Sequence, residues 1–146
     1  MFDSKIMQYA IDLAYHSHKS EVPVGAVIAI DNEIISFSDN RVERDSIEWH
    51  HAEFIAIKQA ISKLKVKYLN NASVYVTLEP CILCAALLDR TRIKEIYFGS
   101  YSTHKSSITK CIHLFDYLAN NTVIIGGLYD NKCFPLIKKF FKDLRQ

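Results

Sequence analysis

Ile6, Met7, Ala10, Leu13 and Ala14 recur at the three- and four-residue spacing of a single helix face, which predicts a helix over residues 4–17. The β-branched and apolar run over 22–30 predicts a strand, Asp31-Asn32 turns the chain, and 33–38 reads as the hairpin partner. A helix is predicted over 51–64, with Phe54, Ile55, Ala56, Ile57, Ala60 and Ile61 on its buried side. There follow a strand over 72–78, a short apolar helix over 82–89, strands over 95–99 and 122–125, and an amphipathic helix over 132–144. The order is α-β-β-α-β-α-β-β-α. Such alternation predicts an α/β fold: a three-layer α/β/α sandwich around a central mixed five-stranded sheet. Sites in such sheets gather where helix starts meet strand ends.

Composition narrows this picture rather than changing it. At 146 residues and 49% apolar content, the chain is expected to form a single domain, residues 1–146, with a real core. Four Gly and three Pro leave no linker, and no repeat is visible. No window has the long uncharged apolar run of a membrane span, and Met1-Phe2-Asp3-Ser4-Lys5 lacks the layout of a secretion signal. Four cysteines, two of them spaced as metal ligands, fit a reducing compartment better than a disulfide scaffold, so a cytoplasmic location is expected. A net charge of +2 does not by itself imply a nucleic-acid partner.

The candidate chemistry sits in His51-Ala52-Glu53 and Pro80-Cys81-Ile82-Leu83-Cys84. A structural zinc takes four protein ligands, whereas a catalytic zinc takes three and leaves a position for water. His51, Cys81 and Cys84 offer one imidazole and two thiolates, enough for one catalytic zinc per chain. Cys81 and Cys84 share a face at the start of a helix, and Pro80 suits the turn before it. A helix N-terminus also favours thiolate over thiol. His51 and Glu53, two apart, would diverge in mid-helix, so His51 is placed at the helix start. Glu53, not needed as a ligand, is a carboxylate beside the water. Hydrolysis of an amidine-like C–N bond needs such a group: the amine must leave as ammonia, and one carboxylate can take the proton from water, protonate a ring nitrogen, and later protonate the amine. An aspartate would be one methylene short of both ends.

The pairing His-x-Glu with Pro-Cys-x-x-Cys is the signature of zinc nucleobase deaminases. At these residues the chain resembles the cytidine deaminase-like superfamily, and within it the bacterial tRNA-specific adenosine deaminases, which make inosine at the wobble position of an anticodon. The resemblance extends over nearly the whole chain. Glu21-Val22-Pro23-Val24-Gly25-Ala26-Val27, Asn40-Arg41, Thr77-Leu78-Glu79-Pro80-Cys81, Arg92-Ile93, Phe98-Gly99, Gly127-Leu128, Cys133 and Phe140-Phe141 carry it. It implies zinc on His51, Cys81 and Cys84, Glu53 as proton shuttle, and Asn40 hydrogen-bonded to the flipped base. It also implies that the Ala52 N–H binds the base or its oxygen, that Val24 and Phe141 contact the substrate, and that a homodimer binds the tRNA anticodon loop. Two departures stand out. Leu83 replaces a usual Met, and Ser100-Tyr101-Ser102-Thr103-His104-Lys105-Ser106 replaces a stretch with an Asp and a Lys-x-Gly run. Ser102 aligns with that Asp, and no Gly is present, so this loop bears on which substrate is accepted.

Several readings stay open on the residues alone. The same motif serves deaminases of small substrates: guanine, cytosine or deoxycytidine monophosphate. An inactive RNA-binding or partner subunit could keep a structural zinc, with a fourth ligand from Cys111, Cys133, His50 or another histidine. A Cys-x-x-Cys redox site would leave His51 and Glu53 without a role. His50 reads as a partly exposed histidine, although register alone leaves it open as the ligand; Cys111 and Cys133 read as buried small hydrophobes, and Asn40 alone as a turn residue. Of Phe140 and Phe141, one is expected at the cleft and one in the core. Tyr101 could stack on a base or stand free. The basic runs at Lys63-Lys65-Lys67, Arg90-Arg92 and Lys138-Lys139-Lys142-Arg145 fit either a polyanion surface or solvated helix ends.

Overall fold

The structure, a computed structural model, describes residues 1–145. Helix α1 (Ser4–Tyr15) starts at Asp3, whose carboxylate accepts the Lys5 N–H at 2.8 Å. Strands β1 (Gly25–Ile30) and β2 (Glu33–Asp39) form the expected hairpin. Its turn residues Asp31 and Asn32 have φ of 51° and 61°, the left-handed values that a two-residue type I′ turn requires. On its other side β1 pairs antiparallel with β3 (Ala72–Leu78). Strands β4 (Glu95–Ser100) and β5 (Val123–Ile125) then add in parallel, giving the order β2-β1-β3-β4-β5.

Alternation along the strands makes the two cores. Val27, Ala29, Tyr75 and Tyr97 pack beneath α1 and α7 (Asp130–Leu144). Ala26, Ile28, Val74, Val76, Ile96 and Phe98 face the opposite layer, built from α3 (Ala52–Leu64), α4 (Ile82–Arg90) and α6 (Asp116–Asn121). This is the three-layer α/β/α sandwich with a mixed five-stranded sheet. Gly99 lets α7 sit against β4, since a Cβ there would strike Cys133 Sγ.

The differences from the sequence expectation are local. The strand foreseen from residue 22 begins at Gly25. Pro23 has no N–H, and the carbonyls of Val22 and Val24 are taken by Asn40 rather than by a sheet neighbour. Within α3, Ala52 and Glu53 are buried along with Ala56, Ile57 and Ala60, while Phe54, Ile55 and Ile61 are only half-buried. Short helices were not foreseen: α2 (Val42–Asp45), α5 (Ile108–Cys111), the 3₁₀ turn Ile112–Leu114, and α6. Each is too short to show periodicity, and tertiary bonds hold three of them, α5 through the Ile108 N–H on the Pro80 carbonyl. The Glu21 carboxylate accepts the Glu43 and Arg44 N–H groups, and Asp89 Oδ1 accepts that of Leu118. Among the described residues, no helix is long and apolar enough to cross a membrane.

Candidate metal centre and substrate pocket

Two helix starts meet at one end of the sheet. His51 is the N-cap of α3 and Cys81 the N-cap of α4, both with extended backbone, and Cys84 lies in the first turn of α4. Their carbonyls close the first turns, accepting Ile55 N–H at 3.1 Å and Ala85 N–H at 2.8 Å. Neither side chain caps its own helix, so imidazole and thiol are free to face each other. His51 Nδ1 lies 3.6 Å from both Cys81 Sγ and Cys84 Sγ, and the three donor atoms all fall within 4.8 Å of one another. Tetrahedral zinc with Zn–S of about 2.3 Å and Zn–N of about 2.0–2.1 Å requires N···S edges of about 3.5 Å, so the donor set fits.

The electrostatics agree. Hydrogen bonding from the Cys84 thiol, with His51 helping, outweighs burial and holds Cys81 down to about 4. The same bond to Cys81, together with burial, pushes Cys84 up, so the metal-free pair holds one thiolate and one thiol. His51 is raised by its hydrogen bond to Cys81. Glu53, in the first turn of α3, is 5% exposed; burial pushes its carboxyl up, with His51 opposing. It is not among the grouped metal donors.

His51, Glu53 and Cys81 open onto a cavity of about 380 Å³. Its walls come from distant parts of the chain: Val22 and Val24 before β1, Leu78 and Glu79 at the end of β3, and residues 100–104 after β4. Phe134, Ile137 and Phe141 close it from one stripe of α7. Phe140 lies outside this cavity and lines an adjoining groove with Glu21 and Leu144, so both phenylalanines face clefts and neither is a core residue. Tyr101 lies at the mouth, 57% exposed, with its ring edge-on to Phe98 at 5.0 Å between centroids.

Of the expected substrate contacts, Val24, Asn40 and Phe141 line the cavity. Ala52 does not: it is fully buried, and its N–H donates to Asn40 Oδ1 at 2.7 Å. Asn40 Nδ2 donates to the Val22 carbonyl at 3.1 Å. Asn40 thus ties the start of α3 to the strand entry, keeping one amide hydrogen and one oxygen lone pair for the cavity.

The segment between Asn40 and His51 is pinned by charge. Arg44 bridges Glu21 and Asp39, and Asp45 joins Arg41 to His50 Nδ1 at 2.8 Å. Burial alone would raise Glu21, but the Arg44 and Glu43 N–H groups and the Arg44 guanidinium hold it below its usual value. His50 therefore belongs to this network, stacked on Phe54, and not to the metal group. Cys111 and Cys133 are buried and also lie outside that group.

Glu79 was not foreseen as a site residue. It is 3% exposed, and its carboxylate accepts the Ser102 N–H at 2.9 Å, the Thr109 N–H at 3.0 Å and the Thr109 hydroxyl. The Ile108 N–H donates to the Pro80 carbonyl at 2.8 Å. The loop that departs from the family pattern is thereby strapped to the segment carrying Cys81. The only trace in the sequence is an acid between a strand and a Pro-Cys pair, which spacing alone does not interpret.

The sequence profile of the cytidine and deoxycytidylate deaminase zinc-binding region matches residues 1–100. The tRNA-specific adenosine deaminase of Aquifex aeolicus is 38% identical over 87% of this chain and 85% of its own. That of Haemophilus influenzae is 35% identical over 99% and 86%. Among solved structures, a chain from a study of A-to-I editing by tRNA:A34 deaminases superposes with a TM-score of 0.84 at 28% identity, covering 92% of this chain and 99% of that one.

Proposed function

Because this chain belongs to the cytidine and deoxycytidylate deaminase zinc-binding family, and within it to the tRNA-specific adenosine deaminases, we infer that it converts the wobble adenosine of a tRNA anticodon to inosine, releasing ammonia. One observation carries the reading: a cluster of three metal donors, with His51, Cys81 and the buried Glu53, opens onto a cavity large enough for a single extruded base. His51, Cys81 and Cys84 would hold the zinc, one per chain. When bound, zinc supplies a water whose pKa is lowered toward neutrality.

Glu53 takes one proton from the attacking water and delivers it to the purine ring nitrogen, then passes the remaining hydroxyl proton to the amine, which departs as ammonia and leaves a ring N–H beside a carbonyl. Its burial suits this work, because a carboxylate pushed up from its usual range is a stronger base, better able to take a proton from water and hold it for delivery. Asn40 orients the base with its free amide hydrogen and lone pair. Val24 and Phe141 pack against the base, and Phe134 and Ile137 help exclude water. Lys138 and Lys142, exposed on α7 beside that apolar stripe, attract phosphates to the mouth. The exposed Trp49, Ile82 and Leu83, around the metal end of α3 and α4, support a homodimer face next to the RNA. A tRNA substrate supports a cytoplasmic location.

The test is turnover on an anticodon stem-loop RNA bearing adenosine at the wobble position, with Glu53→Gln as control. Inosine at that site from the zinc-loaded protein, and a rate at least about 10²-fold lower from the variant, is the expected result. No inosine from a protein carrying one zinc per chain would overturn the substrate. A near-normal rate for the variant would overturn the role of Glu53.

A further inference from the structure

Two of the basic runs in the sequence lie far from the pocket and together. Lys63 is in the last turn of α3, and Lys65 and Lys67 follow it. Arg90 closes α4, and Arg92 and Lys94 follow in turn. The two segments are bonded: the Leu69 N–H donates to the Thr91 carbonyl at 2.7 Å, and that of Lys94 to the Ala72 carbonyl at 3.0 Å. Tyr68 joins their side chains, with the Arg92 guanidinium 4.1 Å and Lys67 Nζ 5.4 Å from its ring centroid. All six cations are exposed, and none forms an ion pair with a carboxylate of the described residues. The metal donors cap the starts of α3 and α4, whereas these residues lie at the ends. At 1.5 Å per residue, the thirteen residues of α3 set the two regions about 20 Å apart.

Helix dipoles account for cations in a last turn. Lys63 and Arg90 fit that explanation; Lys67, Arg92 and Lys94, beyond the helix ends, do not. Six unneutralised charges on two bonded segments make a field that suits a chain of phosphates. The Arg92–Tyr68 pair adds a planar face of the kind that stacks on nucleotides. A base seated at the metal centre leaves this surface about 20 Å away, so it meets a different part of the same RNA.

We propose that Lys63, Lys65, Lys67, Arg90, Arg92 and Lys94 form a second RNA-binding surface, which grips the phosphate backbone of the tRNA outside its anticodon loop. The proposal rests on the tRNA reading above. It assigns whole-tRNA affinity to two separated contacts: the pocket selects the base, and the remote surface adds binding that carries no sequence information.

The test compares whole tRNA with its isolated anticodon stem-loop, using the triple variant Lys65→Asn, Lys67→Gln, Arg90→Gln. Asparagine suits position 65, whose φ is +55°. The expected result is a KM for tRNA raised at least tenfold, and a salt slope of log affinity smaller by about 2–3, one per lost phosphate contact. KM for the stem-loop and kcat on both substrates should stay within about twofold. A charge-keeping variant, Lys65→Arg, Lys67→Arg, Arg90→Lys, should restore tRNA binding. An unchanged KM and slope for tRNA would overturn the proposal, as would equal losses on both substrates. Loss of binding to anionic phosphatidylserine vesicles with tRNA binding intact would also overturn it, in favour of a membrane contact. Failure of the wild-type protein to make inosine would count against the tRNA reading, whereas normal turnover with an inert patch would count only against this surface.

Discussion

Glu79→Gln should loosen substrate binding without touching proton transfer. The wild-type carboxylate accepts three bonds in a site that water barely reaches, from the Ser102 N–H, the Thr109 N–H and the Thr109 hydroxyl. A glutamine keeps one good acceptor but turns an NH₂ toward the remaining donors, leaving at least one partly buried N–H without its acceptor. A hydrogen bond to a charged acceptor is worth about 1.5–3 kcal/mol, and that is the expected loss. It falls on residues 100–104, which wall the pocket but supply none of the metal donors. At about 1.4 kcal/mol per factor of ten, KM for the stem-loop should rise roughly 10- to 100-fold, with kcat changing less than about threefold. Glu79→Ala, which removes every acceptor, should be worse than Gln. The assay is steady-state inosine formation, paired with urea unfolding to separate loop effects from global stability. A fall in kcat with KM unchanged would refute the reasoning, because it would put Glu79 in the chemistry. So would wild-type kinetics, because the loop would then be held by something else.

Other outcomes follow from the same geometry. Chelating the metal should abolish turnover and lower the unfolding midpoint; with zinc at 1,000 times its Kd the lost stabilisation is about 4 kcal/mol, and an unchanged midpoint would mean that the ion is not bound by the folded state. In the metal-free chain, with Cys81 held near 4, that residue should react with iodoacetamide at pH 6 well before Cys84, as read by peptide mapping; equal rates would contradict the shared-proton arrangement. Glu21 is lowered in the folded state, so its contribution is full above its unfolded value near 4.5 and is lost as pH falls through the lower folded value. The stability gap between wild type and Glu21→Gln, measured by urea unfolding, should therefore be largest at pH 7 and shrink below about pH 4. A gap independent of pH would refute that linkage.

Much of the fold was legible because its elements are long enough to show their period. The α1 face, the 31–32 turn and all five strands follow from apolar spacing and turn chemistry. The segment from residue 101 to 122 was not legible. Its helices are shorter than one window of periodicity and are fixed by partners far away in sequence, such as Asp89 for α6. At the site, the metal donors could be read because coordination chemistry demands residue types at set spacings. Their placement at helix starts followed from the two-residue gap between His51 and Glu53. Glu79 and the double tether of Asn40 were hidden for the opposite reason: each acts through backbone groups, which any residue supplies. The commitment of the Ala52 N–H to Asn40 is of the same kind.

The pocket draws its walls from both ends of the molecule, and this sets an order in which the site is assembled during synthesis. Every metal donor is present once Cys84 has been made, but Phe141 is added about 57 residues later, roughly 3–11 s at 5–20 residues per second. A chain emerging from the ribosome therefore owns its metal ligands for several seconds before it owns the wall that excludes water from them. During that interval the thiols are open to metal delivery, while no enclosed chamber exists to hold a base. The chamber is completed late, with the docking of α7 onto a nearly finished sheet.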